Sequence, residues 1–157
     1  MTRHRDAALV LMAAIAASAS LAGATTLMVR SAPSPTLSLG GDIFSRGIDP
    51  SGQPTAHAGG VLGLFVDGCA SCHGSKGHGP RSLVRITPNI TYANLTDPRG
   101  ILQPDGRRGP SFTDQTIRRA ITAGVDPRGA ILATTMPRWQ LNDREWAGLL
   151  TYLKILK

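Results

Sequence analysis

The sequence predicts an all-α fold made of a few short helices. Two segments, Thr113–Ala123 and Asn142–Leu156, carry apolar residues at the 3.6-residue period of an amphipathic helix. No strand-rich alternating pattern surrounds the only two cysteines of the chain. Aromatic residues make up only 4% of the chain, so the helices alone would form a thin core that a bound group is expected to complete.

Residues 1–30 predict a signal peptide or an N-terminal membrane anchor. Arg3 and Arg5 make the start of the chain basic, and Ala7–Val29 contains no charged residue. That stretch is long enough to cross a bilayer as a helix, yet it also has the basic start, apolar core and small-residue cleavage site of a secretory signal. Both alternatives stay open. Both place the rest of the chain on the periplasmic side, either tethered to the inner membrane or soluble.

Residues 31–56 predict a linker, because they combine four prolines with several glycines and serines. We expect the folded domain to occupy residues 57–157. Its first element is predicted to be a short helix at Gly59–Phe65. The small-residue face of that helix, at Gly60 and Gly63, suits close packing against the C-terminal helix.

The stretch CASCHG, residues 69–74, contains both cysteines of the chain and a histidine directly after the second. Haem has two vinyl groups on adjacent rings, and two thiols about one helical turn apart can each form a thioether with one of them. The following residue then presents its imidazole to the iron. The spacing therefore predicts one covalently bound haem c, attached at Cys69 and Cys72, with His73 as an axial ligand and the helices packed around it.

Other uses of two neighbouring cysteines fit less well. A zinc centre needs two further cysteines or a suitably spaced histidine pair, which His4, His57 and His78 do not supply. A thioredoxin-type motif needs a βαβ setting, and a disulfide across two residues closes almost no loop. The remaining alternative is a vicinal dithiol beside a fortuitous histidine.

The two amphipathic helices have recognisable ends. Thr113 can cap the first, and Gly124 suits its exit. Asn142 and Glu145 form a potential capping box at the start of the last helix. The apolar stripe of that helix is expected to lie in the core; its members are Trp146, Leu149, Leu150, Leu153 and Leu156.

Met136 is the predicted second axial ligand of the iron. The other three methionines lie in or before the N-terminal apolar segment, so Met136 is the only thioether that the domain offers. It lies on irregular backbone next to Pro137, where a side chain is free to point inward. Thioether ligation favours Fe(II) and raises the reduction potential. The alternatives are a core methionine that fills a gap, with His57 or His78 as the ligand.

The surroundings of the haem are less clearly specified. The ring N–H of His73 should donate to a carbonyl oxygen, and Pro80 in GHGP is the predicted acceptor. The haem propionates need donors, and we expect at most two of the candidates to serve; these are Arg81, Arg85, Arg107, Arg108 and Arg138, with Trp139.

The net charge of the chain is +7, and its basic residues are scattered. Few aromatic side chains are available for base stacking, so a nucleic-acid groove is poorly supported. An acidic redox partner, or solubility alone, explains the charge. No nucleophile has a histidine and a carboxylate arranged around it in the sequence, so we expect neither a catalytic site nor a small-molecule substrate.

The motifs together resemble those of class I c-type cytochromes over residues 57–157. GCASCHG resembles their attachment site, GHGP the proline that follows it, TTMP their methionine loop and the last helix their closing helix. The order of RITPNIT, FTDQTIRRAITAGVDPRGAILATTMP and LNDREWAGLLTYLK is also similar to cytochrome c modules of membrane-bound alcohol and aldehyde dehydrogenases. This resemblance implies a helical fold, coordination by His73 and Met136, and one-electron transfer with protein partners.

The sequence therefore predicts a single-haem electron carrier rather than an enzyme. Two alternatives stay open. The chain could be a permanent electron-transfer subunit of a membrane oxidoreductase, although it has one haem motif where those dehydrogenase subunits have several. It could also be a ligand-binding or peroxidatic haem protein whose sixth coordination site is open.

Overall fold

The computed structural model describes residues 34–59, 67–79, 81–82 and 85–157, all of them within one compact unit, Ala32–Lys157. The helices are α1 (Pro35–Arg46), α2 (Ala70–His73), α3 (Tyr92–Leu95), α4 (Asp114–Ala123) and α5 (Asp143–Ile155). The strands have two residues each and are β1 (His57–Ala58), β2 (Arg81–Ser82), β3 (Arg85–Ile86) and β4 (Arg138–Trp139). β1 pairs with β4 and β2 with β3, both antiparallel. The predicted all-α class is confirmed.

Helix α1 begins and ends with local sequence signals. Ser34 caps it by accepting a hydrogen bond from the Leu37 N–H at 3.2 Å, and Pro35 occupies the first turn, where no N–H partner is needed. Gly47 ends the helix in the left-handed conformation at φ 61° and donates its N–H to the Ile43 carbonyl at 3.0 Å.

Helix α1 packs on α5 at a point where two glycines face each other. A Cβ atom on Gly40 would lie 2.0 Å from the carbonyl oxygen of Gly148, so the two backbones approach closely only because neither residue has a side chain. The rings of Phe44 and Tyr152 meet beside this contact at a centroid distance of 5.3 Å. Phe44 has no exposed surface, which makes it part of the central core.

The prediction that residues 31–56 form a linker is wrong for Pro35–Arg46. This segment forms a helix, and its apolar face, with Leu39, Ile43 and Phe44, is buried against α5. Burying these side chains removes enough apolar surface from water to order the segment in spite of its prolines and glycines. Compact structure therefore begins well before residue 57.

Two other predictions concern residues that lie wholly or partly outside the described ranges. The signal or anchor segment at 1–30 lies outside them, as does most of the predicted helix Gly59–Phe65 with its face at Gly60 and Gly63. In the described part of the chain, the helix that packs closely on α5 is α1. No helix among the described residues has the length and apolar character needed to span a membrane.

The caps predicted for α4 and α5 are confirmed. Thr113 accepts a hydrogen bond from the Thr116 N–H at 3.3 Å, and Gly124 ends α4 in the left-handed conformation at φ 68°. At α5, the Glu145 N–H donates to Asn142 Oδ1 at 2.9 Å, and the Asn142 N–H donates to Glu145 Oε2 at 2.8 Å. Within the predicted stripe of α5, Leu149 and Leu153 are buried, and the other three residues are half-buried.

The carboxylate of Asp114 connects α3, α4 and α5. It accepts hydrogen bonds from the Tyr92 hydroxyl at 2.7 Å and from Lys154 Nζ at 2.8 Å. The bond from Lys154, followed by that from Tyr92, lowers the pKa of the Asp114 carboxyl. Because both charged side chains are 42% exposed, solvent screens this ion pair and its contribution to stability is small.

Replacing Gly40 with alanine should separate α1 from α5. The new methyl group would collide with the Gly148 carbonyl, so we expect Gly40→Ala to lower the free energy of unfolding by about 1–3 kcal/mol. Denaturant unfolding followed by circular dichroism measures the change.

The matched control is Gly41→Ala, where the nearest atom to a new Cβ is Cε2 of the Tyr152 ring, at 3.2 Å. A side chain can shift, and alanine favours the helix, so this variant should stay within about 1 kcal/mol of wild type. Equal destabilisation by both variants would contradict the proposed role of the Gly40–Gly148 contact.

Candidate haem site

The CASCHG segment forms a single helical turn that brings its functional side chains together. The His73 N–H donates to the Cys69 carbonyl at 2.9 Å, and the Gly74 N–H donates to the Ala70 carbonyl at 2.8 Å. Gly74 then leaves the helix at φ 77°. The two sulfurs therefore stand about one turn apart, and the imidazole follows them, as the attachment of haem c requires.

The start of this turn is held against the end of α1. A Cβ atom on Gly68 would lie 2.7 Å from the Phe44 carbonyl oxygen and 2.8 Å from the Gly47 nitrogen. Gly68 itself has φ 97°, a conformation that favours glycine. The position of Cys69 therefore depends on α1, which in turn is fixed by α5.

The imidazole of His73 is buried, with 8% of the residue exposed. Its Nδ1 lies 3.0 Å from the Pro88 carbonyl oxygen, so the Nδ1–H donates and Nε2 keeps the lone pair that a metal needs. Burial lowers the pKa of His73, and the bond to Pro88 acts in the opposite direction. The neutral, ligating form of the ring is therefore favoured.

The prediction that Pro80 supplies this acceptor is wrong. The acceptor is the carbonyl oxygen of Pro88, and Pro80 itself lies outside the described residues. Residues 87–90 pass directly beside the turn: the Ile90 N–H donates to the Gly77 carbonyl at 2.7 Å, and a Cβ atom on Gly79 would lie 2.2 Å from the Thr87 carbonyl oxygen. The bare backbone at Gly79 lets this segment approach closely enough for Pro88 to reach the ring.

Sequence reasoning also missed Thr87. Its hydroxyl donates to the Cys72 carbonyl at 2.8 Å, so the haem-binding turn is bonded to residues 87–88 at two successive positions, Cys72 and His73. Gly74, Gly77 and Gly79 in the sequence indicate only a break in regular structure after His73. They carried no information about which later segment would pack against the haem-binding turn.

An apolar cavity opens beside this turn and brings the predicted ligands together. Cys69, His73 and Met136 all line it. Most of its other walls are aliphatic or aromatic and come from α1, α4, α5 and the loops between them; they include Phe44, Ile101, Ile117, Leu132, Trp139 and Leu149. Neither His57 nor His78 is among the lining residues that the structure describes.

The residues present fit a haem. An apolar wall suits the porphyrin, two thiols suit its vinyl groups, and the nitrogen of His73 with the sulfur of Met136 forms a donor pair that iron accepts. Cys69 is half-buried, and loss of solvent around its sulfur raises the pKa of the thiol to about 12. The thiol is therefore protonated at neutral pH, which disfavours a reactive dithiol.

The proposed competitors of Met136 have other surroundings. The ring of His57 packs on Trp139 at a centroid distance of 4.7 Å, and its Nε2 is buried without a hydrogen-bond partner in the described structure. His78 is exposed. Met136 is half-buried, and its N–H donates to the Ala133 carbonyl at 3.0 Å in a turn.

The predicted propionate partners divide into three groups. Arg107 and Arg108 form ion pairs with Asp105 and Asp97, at 2.6 and 3.1 Å. Arg138 binds backbone carbonyls, and Trp139, which is 3% exposed, lines the cavity. The side chains of Arg81 and Arg85 lie outside the described part of the structure. A role of any of these residues toward propionates stays a prediction.

A comparison with known protein families identifies one match. The family model described as Cytochrome c matches residues 63–157, which is more than half of the chain. No curated protein and no solved structure gives a significant match.

Removing the Thr87 hydroxyl should loosen the turn that carries the ligands. Thr87→Val deletes the bond to the Cys72 carbonyl, and we expect the free energy of unfolding to fall by about 1–2 kcal/mol. Thr151→Val is the control: its hydroxyl bonds the Ala147 carbonyl at the same distance, 2.8 Å, but on an exposed helix face. Equal effects of the two changes in thermal or denaturant unfolding would argue against the special position of Thr87.

Proposed function

The chain belongs to the cytochrome c family, and we propose that it carries one electron at a time between protein partners on a single haem c. Membership in the family implies covalently bound haem c and an electron-transfer role rather than an enzymatic one. The chain contains two cysteines in one CxxCH motif, which supports a single haem.

The observation that carries the proposal is the meeting of His73 and Met136 on one apolar cavity. The two residues are far apart in the sequence, and the fold brings both to the space beside the attachment cysteines. When bound, haem c supplies an iron that cycles between Fe(III) and Fe(II). His73 and Met136 would provide the two axial ligands, while Cys69 and Cys72 would provide the thioethers.

The chain's own residues would favour the reduced iron. A thioether ligand raises the reduction potential, and the apolar walls keep water away from the iron. If His73 and Met136 both bind the iron, they would leave no open coordination position for a substrate. These features support an electron carrier over a ligand-binding or peroxidatic haem protein.

The net charge of the chain and its N-terminal segment are the basis for proposing the kind of partner and the cellular location. The net charge of +7 supports a redox partner with an acidic docking surface. Ile131 is 72% exposed and offers an apolar contact on the loop that leads to Met136. We propose a periplasmic location, tethered or soluble according to the fate of residues 1–30, where thioethers to haem would protect Cys69 and Cys72 from oxidation to a disulfide. The resemblance to dehydrogenase-associated modules supports such an enzyme as the electron donor.

Intact mass of the exported protein tests the haem. We expect the mass of the polypeptide plus one haem, and the haem should stay with the protein in acidified organic solvent. Changing Cys69 and Cys72 to alanine together should remove it. A mature protein that weighs no more than its amino acids would refute the proposal.

Replacing Met136 tests the sixth ligand. We expect Met136→Ala to abolish the weak sulfur-to-iron charge-transfer band of the ferric protein and to let the ferrous protein bind carbon monoxide. The control Met136→His should lose the same band but still exclude carbon monoxide, since an imidazole fills the site. An unchanged band in Met136→Ala would show that a group other than Met136 binds the iron.

Electron transfer with small inorganic redox complexes tests whether the positive charge of the protein attracts its partners. We expect the rate constant with an anionic complex to fall as ionic strength rises, and that with a cationic complex to increase, because the protein carries net positive charge. Stopped-flow measurements over a series of salt concentrations give both slopes. Identical slopes for the two complexes would argue against electrostatic docking of an acidic partner.

A further inference from the structure

We propose that Arg138 is the positioning residue that holds the methionine loop, Leu132–Met136, in the conformation that presents the Met136 sulfur to the cavity. This inference rests on the proposed function, since it concerns ligation of the iron by Met136. It assigns Arg138 to the loop backbone rather than to a haem propionate.

The guanidinium group of Arg138 binds three carbonyl oxygens of the loop. Nη2 donates to Leu132 at 2.9 Å and to Ala133 at 3.3 Å, and Nη1 donates to Met136 itself. A planar guanidinium has donors fixed in a fork, so it holds several acceptors in one arrangement. The first and last residues of the loop are thereby fixed to the same rigid group.

Both ends of the Arg138 side chain are well anchored. Its backbone belongs to β4, where Arg138 pairs with Ala58 of β1. The guanidinium end passes over Gly124 at the end of α4, where a Cβ atom would lie 1.7 Å from Nε. Gly124 also accepts the Leu132 N–H at 2.8 Å, so α4, the loop and Arg138 meet at this glycine.

The middle of the loop buries little apolar surface. Ala133, Thr134 and Thr135 are exposed, as is Ile131 just before them, so burial of apolar side chains contributes little between Leu132 and Met136. Within the described residues, no carboxylate forms an ion pair with Arg138 that would draw it away from the loop. Leu132 and Met136, at the two ends of the loop, are half-buried and line the cavity. Between them the loop backbone is held by polar contacts, and those of Arg138 are the most numerous.

The test uses the purified holoprotein and asks how readily the methionine leaves the iron. Imidazole added to the ferric protein competes with Met136, and its binding rate, followed by stopped-flow absorbance, reports how often the loop opens. The variants are Arg138→Gln, which removes both the fork and the charge, and Arg138→Lys, which keeps the charge without the fork. The control is Arg128→Gln, which removes one charge from an exposed position near the loop.

We expect both Arg138 variants to retain covalent haem and the wild-type far-ultraviolet circular dichroism. Both should bind imidazole at least tenfold faster than wild type, with a weaker sulfur-to-iron band and carbon monoxide uptake by the ferrous form. Arg128→Gln should match wild type. If Arg138→Gln does not accumulate as a holoprotein, the comparison of Arg138→Lys with wild type decides.

Other results overturn the inference. If Arg138→Lys matches wild type while Arg138→Gln changes only the midpoint potential, Arg138 acts through its charge and does not position the loop. If the band is lost in Met136→Ala but both Arg138 variants behave as wild type, the positioning role alone fails. If Met136→Ala leaves the band intact, ligation by Met136 fails and the inference fails with it.

Discussion

The close contact between Gly40 and Gly148 is the constraint on which the rest of the described structure depends. It lets α1 lie directly on α5. The backbone of Gly68 then packs closely against Phe44 and Gly47 at the end of α1. Cys69 follows Gly68 at once, so the packing of two helices remote in sequence sets the place of the haem-binding turn. A side chain at Gly40 would act on the cofactor site through this series of contacts, although Gly40 does not line the cavity.

The core of the domain and the wall of its cavity are largely the same residues. Phe44, Ile117 and Leu149 are buried among themselves and also line the space beside His73. A haem in that space would complete a core that has few aromatic side chains of its own, and its binding would stabilise the folded state over the unfolded chain. In such a protein the stability of the fold and the environment of the iron cannot be changed independently.

The two ligand-bearing segments are held by different means. His73 is buried, its ring is fixed by the Pro88 carbonyl, and the backbone around it packs at glycines that leave no space. Met136 is half-buried at the end of a loop whose middle is exposed, and Arg138 binds three carbonyl oxygens of that loop. A segment held by solvent-exposed hydrogen bonds opens at a lower free energy than one held by buried apolar contacts. We therefore expect the Met136 loop to open before the turn that carries His73.

The sequence by itself determined the features that are set by residues close together in the chain. The spacing of CASCHG specified one helical turn with two thiols and an imidazole, and the caps at Thr113 and Asn142 specified where α4 and α5 begin, because these signals act over three or four residues. The uniqueness of Met136 made it the candidate ligand without any knowledge of distance.

Only the tertiary structure decided that Pro35–Arg46 is a core helix, that Pro88 accepts from His73, and that Arg138 binds the methionine loop. Each of these features depends on contacts with residues that are distant in the sequence. Local composition does not predict such contacts. A segment rich in proline and glycine is indistinguishable from a linker until another helix covers its apolar face, and a carbonyl acceptor has no side-chain signature at all.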